Sequence, residues 1–242
     1  MPNAEKRNPT DVKEMFGNVS KNYDKINRAM CFGLDTLWRK TLAKTALKEC
    51  FGSSPIIADL ACGSGDVAIE LAKTDSSAQI LASDFCPEMI EIARKKSNKE
   101  NLSERIKFIQ ADCENLPFED NKFNAITISF GFRNFQNRQK CLVEIYRILA
   151  PKGRLAILEV SRAGTIMEFA QKIFMSLIVP TIAVIFGGRR DDYKYLANTT
   201  MSYPYPAQVE KMFAYAGFEN IKTRKFGCGL VAITTGTKKD AQ

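Results

Sequence analysis

The chain contains no histidine among its 242 residues. That absence excludes Ser–His and Cys–His catalysis and imidazole-ligated metals. A general base must then be a carboxylate, tyrosine, lysine or positioned water. The seven cysteines form no Cys-x-x-Cys pair and no zinc-like spacing, and no metal is expected. Their odd, scattered number, without a signal-peptide pattern, leads us to expect a reducing, cytoplasmic setting. Long apolar runs are scarce: Ile173–Phe186, at fourteen residues, falls short of the roughly 20 needed to cross a bilayer. The net charge is +8, yet no run of five or more Lys/Arg occurs. The basicity therefore reads as a solvated face or as attraction to an anionic partner. Internal repeats and low-complexity tracts are absent.

What is present is an alternation of apolar strands and amphipathic helices. Strands are expected at Ile56–Asp59, Gln79–Asp84, Ile106–Gln110, Phe123–Ser129 and Arg154–Val160. Helices are expected over Val12–Leu47 (interrupted near Gly33), from Asp66 to Ala72, from Pro87 to about Asn98, and over Arg138–Leu149. Pro151-Lys152-Gly153 should stop the last of these. Strands alternating with helices argue for a parallel sheet with right-handed crossovers. The pattern then changes. Ile173–Phe186 is almost wholly apolar and is broken at Pro180; it reads as a core-facing helix pair, or as a lid or membrane-facing element over an apolar substrate. Val209–Ala216 is a short helix, and the strand candidates Ile221–Phe226 and Leu230–Thr235 suggest an antiparallel edge hairpin. One domain is expected over 1–242. Residues 11–50 would be cap helices, 51–160 a cofactor-binding core, 161–207 inserted apolar helices over the acceptor site, and 208–242 the final helix and strands.

The most informative local feature is Asp59-Leu60-Ala61-Cys62-Gly63-Ser64-Gly65-Asp66, a strand end running through a glycine turn into a helix. With Asp84 closing the next strand, it superficially fits a dinucleotide fingerprint. In that fingerprint, however, the glycines bring backbone amides to a pyrophosphate. Here Asp59 and Asp66 flank the turn; they would repel a pyrophosphate and attract an ammonium or sulfonium. S-adenosylmethionine fits such a site and NAD does not. Asp84 suits two ribose hydroxyls, and Asp112-Cys113 after the third strand can face an adenine. Ser129 lies at the carboxyl edge of the fourth strand.

Beyond it stands Ser129-Phe130-Gly131-Phe132-Arg133-Asn134. The Asn/Asp-Pro-Pro-aromatic arrangement that grips exocyclic amines is missing. A guanidinium and an amide sit among phenylalanines instead; Arg133 could stabilise an oxyanion or make a structural ion pair, and Asn134 could orient the acceptor. Tyr23 and Asn27 could meet cofactor or acceptor. Arg189-Arg190-Asp191-Asp192 reads as a self-paired solvated helix end, and Trp38 as core.

Tyr23-Asp24-Lys25-Ile26-Asn27 with Gly33 and Trp38, Arg147-Ile148-Leu149-Ala150-Pro151-Lys152-Gly153, Glu159-Val160-Ser161 and the 129–134 stretch together resemble the quinone C-methyltransferases. These methylate demethylmenaquinol and ubiquinone precursors, and the resemblance covers residues 11–236. It departs at Ile26, Cys31 and Asp35, where the family usually has Met, Ser and His, and at Ala150 and Lys152. It implies a Rossmann-like class I methyltransferase: a mostly parallel seven-stranded sheet with an antiparallel C-terminal hairpin strand and added helices. It also implies S-adenosylmethionine contacts from Ser64, Asp84, Asp112, Cys113 and Ser129, beside the Asp59, Gly63 and Gly65 of the turn, with Arg133 and Tyr23 near the quinol ring. The expected chemistry is methylation of a prenylated quinol. A water held by Arg133 and Asn134 would take the hydroxyl proton, and Arg133 would steady the phenolate. The expected partners are a lipid-soluble quinol and the inner membrane surface, with a homodimer allowed and no nucleic acid. A small-molecule O-methyltransferase, an RNA methyltransferase and a module that only binds the cofactor remain as alternatives.

Overall fold

The computed structural model describes residues 17, 23–48, 53–162, 164–185 and 190–240. Among these residues, seven strands form one sheet: β1 (Ile56–Leu60), β2 (Gln79–Asp84), β3 (Ile106–Gln110), β4 (Phe123–Ser129), β5 (Leu149–Val160), β6 (Glu219–Phe226) and β7 (Val231–Thr237). Their spatial order is β3-β2-β1-β4-β5-β7-β6. The pairs among β1–β5 are parallel, whereas β7 runs antiparallel to both β5 and β6. The chain winds outward from β1 through β2 to β3, then returns to place β4 on the other flank of β1. This reversal opens a crevice beyond the carboxyl ends of β1 and β4, where ligands of such sheets bind.

Helices cover both faces. On one, α2 (Leu34–Leu47), α3 (Asp66–Thr74) and α4 (Pro87–Lys99) bury Leu42, Leu71 and Ile90 against Ile57 and Ile80. On the other, α5 (Arg138–Ile148) and α9 (Pro206–Tyr215) bury Leu142, Ile145 and Phe213 against Ile126 and Ile157. With both faces covered, β1 needs no polar alternation, which explains its near-continuous apolar run.

A third, smaller core joins α1 (Tyr23–Met30), the start of α4, and the insertion of α6 (Thr165–Ile173), a π-helical stretch Phe174–Ile178, α7 (Val179–Ile185) and α8 (Arg190–Met201). Ile26, Met89, Val179, Tyr193 and Leu196 form its centre.

Three expectations change. Pro180 does not break the helix: the π stretch just before it widens the turn where its ring would otherwise meet the carbonyl of Ser176. Pro151-Lys152-Gly153 does not separate α5 from β5. The helix ends at Ile148, Leu149 already pairs with Phe123, and the triplet forms an irregularity within β5, with Lys152 at φ 61°. Of Arg189–Asp192, Arg189 and the side chains of Arg190 and Asp191 lie outside the described residues. Asp192 is buried rather than solvated, carried inward beside Tyr193 as α8 enters the third core. The part of the N-terminal helix expected before Tyr23 also lies largely outside the described residues.

Candidate functional site

A cleft with about 1140 Å³ of empty space, counted to its open mouth, lies over the carboxyl ends of β1–β4. Each strand end contributes to its wall: Asp59, Ala61 and the Gly63–Ser64 turn from β1, Asp84 and Phe85 from β2, Ala111–Glu114 from β3, and Ser129–Gly131 from β4. Gly65, at φ 83°, starts α3, and a Cβ there would come within 2.8 Å of the Ala93 Cβ on α4. Both facts require glycine, so the turn is fixed by helix packing as well as by backbone shape. A Cβ on Gly131 would similarly meet the Ala61 Cβ at 2.8 Å, which lets the β4 loop close down on the turn.

Strand register places the acids. Asp59 lies opposite Thr127 on β4, whose hydroxyl donates to its Oδ1 at 2.7 Å, while Oδ2 is buried without a partner among the described residues. Burial pushes the Asp59 carboxyl up to about 7; the Thr127 hydrogen bond only partly counters this, and the charge of Asp84 adds to it. Asp84 accepts the Gly63 amide at 2.8 Å and the Cys86 amide at 3.0 Å, tying the turn to β2. Burial still raises its carboxyl. Asp112 is exposed at the rim, and its carboxylate accepts the Glu114 amide at 2.9 Å. Cys62 and Cys113 also line the cleft, and burial lifts both thiols well above their ordinary range.

Asp66 does not stand open beside the turn as the sequence suggested. Arg39 of α2 donates to its Oδ2 at 2.5 Å, and Lys96 of α4 bonds its Oδ1. Arg39 also grips the buried Asp35 at 2.9 Å. Lys96 reaches Asp24 of α1 at 3.0 Å and the Ser64 hydroxyl at 3.2 Å, while Ser64 donates to Asp24 at 2.6 Å. Burial alone would raise the Asp24 carboxyl, but Lys96 and Ser64 hold it below the usual range. The cation-attracting pair inferred around the turn therefore reduces to Asp59, because two helices neutralise Asp66. Nothing in local sequence announced Arg39 or Lys96: their partners are 27 and 30 residues away, across helices whose crossing only the fold decides.

The opposite wall is Phe130, Gly131, Asn134 and Phe135, with the 3-10 turn Phe132–Asn134 between. Asn134 lines the cleft, and its Oδ1 is buried without a partner among the described residues. Arg133 is not among the lining residues. Its side chain, 9% exposed, pairs with Glu159 at 2.7 Å, donates to the Phe130 carbonyl at 2.5 Å, and its backbone amide donates to the other Glu159 oxygen at 3.0 Å. Arg138 then donates to the Phe132 and Arg133 carbonyls from α5. Of the two readings of Arg133, the geometry supports the structural ion pair: a strongly basic group this buried beside a carboxylate stays paired. Glu159 was missed as a site residue, although an acid closing an apolar strand, as in β1 and β2, was a visible signal. Tyr23 begins α1, but its side chain lies outside the described residues. Asn27 is half-buried on the same helix, and Trp38 packs against Phe130 with ring centroids 6.5 Å apart.

Buried polar atoms are normally hydrogen-bonded. Ser129 Oγ, Asn134 Oδ1 and Asp59 Oδ2, all from lining residues, have no partner among the described residues. A nucleoside-bearing cation answers this set: acceptors for hydroxyl and amine hydrogens, a buried acid at the end of β1, and an open turn beside Asp84. Among the described residues no group of three His, Cys, Asp or Glu side chains could hold a metal ion.

Residues 3–238 match the model of the ubiE/COQ5 methyltransferase family. A demethylmenaquinone methyltransferase of Thermus thermophilus is 35% identical over 225 residues, 93% of this chain and 100% of its own. A ubiquinone/menaquinone biosynthesis C-methyltransferase of Geotalea daltonii is 35% identical over 229 residues, covering 94% and 96% of the two chains. Among solved structures, an S-adenosyl-L-methionine-dependent methyltransferase of Methanococcus maripaludis superposes with a TM-score of 0.67 at 22% identity, over 93% of this chain and 94% of that one. That likeness bears on the fold.

Proposed function

Because the chain belongs to the ubiE/COQ5 methyltransferase family, we propose that it is an S-adenosylmethionine-dependent C-methyltransferase acting on a prenylated quinol, converting demethylmenaquinol to menaquinol. The observation that carries this reading is the union, in one cleft, of the acids and glycine turn at the ends of β1–β3 with a phenylalanine-rich wall bearing Asn134, whose Oδ1 has no partner among the described residues.

S-adenosylmethionine, when bound, supplies an electrophilic methyl group on a positively charged sulfur. Asp84 would accept the ribose hydroxyls while keeping the Gly63 amide, and Ser64 would be presented by its bond to Asp24. The Asp112–Cys113 loop would border the adenine. Asp59 is the acid left to face the cationic end, with Ser129 beside the acceptor. Loss of the quinol hydroxyl proton would drive charge onto the ortho carbon; that carbon would take the methyl group as the methyl–sulfur bond breaks to leave a neutral thioether, and would then shed its own hydrogen as a proton, restoring the aromatic ring, while the phenolate regains one proton from the water. Asn134 would hold the water that receives these protons. Arg133, tied to Glu159, would fix the height of Phe130 and Asn134 rather than touch the phenolate. The apolar wall excludes bulk water, and alignment of the two reactants supplies the remaining gain, on the order of several kcal/mol. A sulfonium donor needs no metal for this transfer. The isoprenoid tail would leave past Phe85 and Met89, which the cleft shares with the third core. The protein would work in the cytoplasm at the membrane surface, and the missing amine-gripping motif argues against nucleic acid.

Incubation with methyl-labelled cofactor and a panel of demethylated quinols under reducing conditions tests this reading. Mass spectrometry should find a ring C-methyl product. A methyl ether, or label appearing only on RNA, would overturn it.

A further inference from the structure

Large apolar side chains stand in solvent on two neighbouring segments. At the turn between α1 and α2, Phe32 is 79% exposed and Leu37 is 59% exposed. Phe169, Ile173 and Leu177 form a stripe at i, i+4 and i+8 along α6 and the π stretch, with Phe169 at 68% and Leu177 at 63%, and Ile185 extends it to the end of α7. The segments are contiguous: the Phe32 and Phe174 ring centroids lie 6.5 Å apart, and α1 packs on α7. The inner side of the insertion already closes the third core through Val179, so the outer stripe is surplus to folding. No helix among the described residues is long and apolar enough to cross a membrane.

The charges on these segments sort by sign. Their acids point inward or are paired: Asp24 with Lys96, Asp35 with Arg39, Glu168 with Arg162. The charged side chains left exposed are Lys25, Arg28, Lys40, Lys44, Lys48 and Lys172, all cationic. An apolar stripe on segments whose exposed charges, among the described residues, are cations matches an anionic interface with a hydrocarbon layer beneath it.

We propose that the face formed by the α1–α2 turn and the outer stripe of α6–α7 docks on an anionic phospholipid bilayer, with Phe32, Phe169 and Leu177 entering the acyl boundary. The docking rests on the quinol reading above for its purpose, because a prenylated substrate resides in that bilayer. The shared wall at Phe85 and Met89 leads from the insertion to the cleft.

Co-sedimentation of the full chain with vesicles of mixed phosphatidylglycerol and phosphatidylcholine, and with pure phosphatidylcholine, tests the docking without any quinone present. Binding should fall about tenfold or more without the anionic lipid, and should weaken as salt is raised. The double variant Phe32→Ser/Leu177→Ser should lower binding by about tenfold or more at an unchanged melting temperature. Tyr215→Ser removes an equally exposed ring (82%) on α9, which packs on α5, β6 and β7, and should change nothing. Equal binding to both vesicle types would overturn the proposal. So would equal losses from the double variant and Tyr215→Ser, or a solution dimer that Phe32→Ser splits in the absence of lipid. Vesicle binding by a protein that methylates no quinol would sink the substrate reading and leave the docking standing; turnover of soluble short-tailed quinols without vesicle binding would do the reverse.

Discussion

On the β1–β2 side of the cleft, Asp24, Ser64, Asp66, Arg39 and Lys96 form one chain of ion pairs and hydrogen bonds drawn from α1, α2, α3 and α4. On the β4 side, the buried pair Arg133–Glu159 lies behind phenylalanines, and the polar side chains that the cleft meets are the uncharged Ser129, Asn134 and Gln136. The polar wall is held by charges that the solvent partly reaches; the apolar wall is held by a pair that it does not. A surface network tolerates loss of one member, whereas a buried pair leaves an uncompensated charge when broken. Under the proposed function, the first wall would meet the polar cofactor, and the second would hold the acceptor carbon.

The contrast can be broken at either wall. The largest effect should come from Asn134→Ala, lowering kcat by about a thousandfold if the amide holds the proton-accepting water, within the usual range for acid–base groups. Cofactor affinity by calorimetry should be unchanged, and a parallel loss of affinity would move Asn134 to the other wall. Glu159→Ala should next cost about 3 kcal/mol of stability in chemical denaturation, as for other buried pairs opened on one side. It should lower kcat more than it raises the KM for the cofactor; an unaltered melting curve would show that the pair does not support the wall. Asp84→Ala should weaken cofactor binding about a hundredfold, because it leaves the Gly63 and Cys86 amides unpaired as well as removing a ligand group.

The smallest effect is a pH slope. Burial first, with Asp84 adding and Thr127 opposing, places Asp59 near 7 against an ordinary 3.8. Its folded-state value is raised, so its contribution to stability is fully present below about 3.8 and is lost as pH rises through about 7. Asp59→Asn should flatten that loss in thermal melts between pH 5 and 8. Conversely, a cationic ligand prefers the ionised acid, so wild-type cofactor affinity should rise about tenfold from pH 6 to pH 8 while the Asn variant stays level. A level wild-type profile would remove Asp59 from the cationic end of the site.

The positions of most strands, the glycine turn and the acids at the ends of β1 and β2 were legible because each is a local signal: an apolar run, a positive-φ turn, an acid where the run stops. The Arg39–Asp66–Lys96 chain was not, because it depends on which helices cross. The same limit explains Arg133, whose residue type suited either role until β5 supplied Glu159. Pro180 and Pro151 misled for the opposite reason. Each is a strong local breaker, and each was absorbed, one by a π stretch and the other by an irregularity within β5.

Cys62 and Cys113 stand in the wall of a cleft whose proposed use is to hold a reactive alkylating agent. A thiolate would be a better nucleophile there than any quinol carbon. Burial, with nearby carboxylates, drives both groups far toward the protonated thiol. The acids and apolar packing that shape the cavity thus also hold both thiols in their protonated, weakly nucleophilic form, a restraint written into the walls rather than added to them.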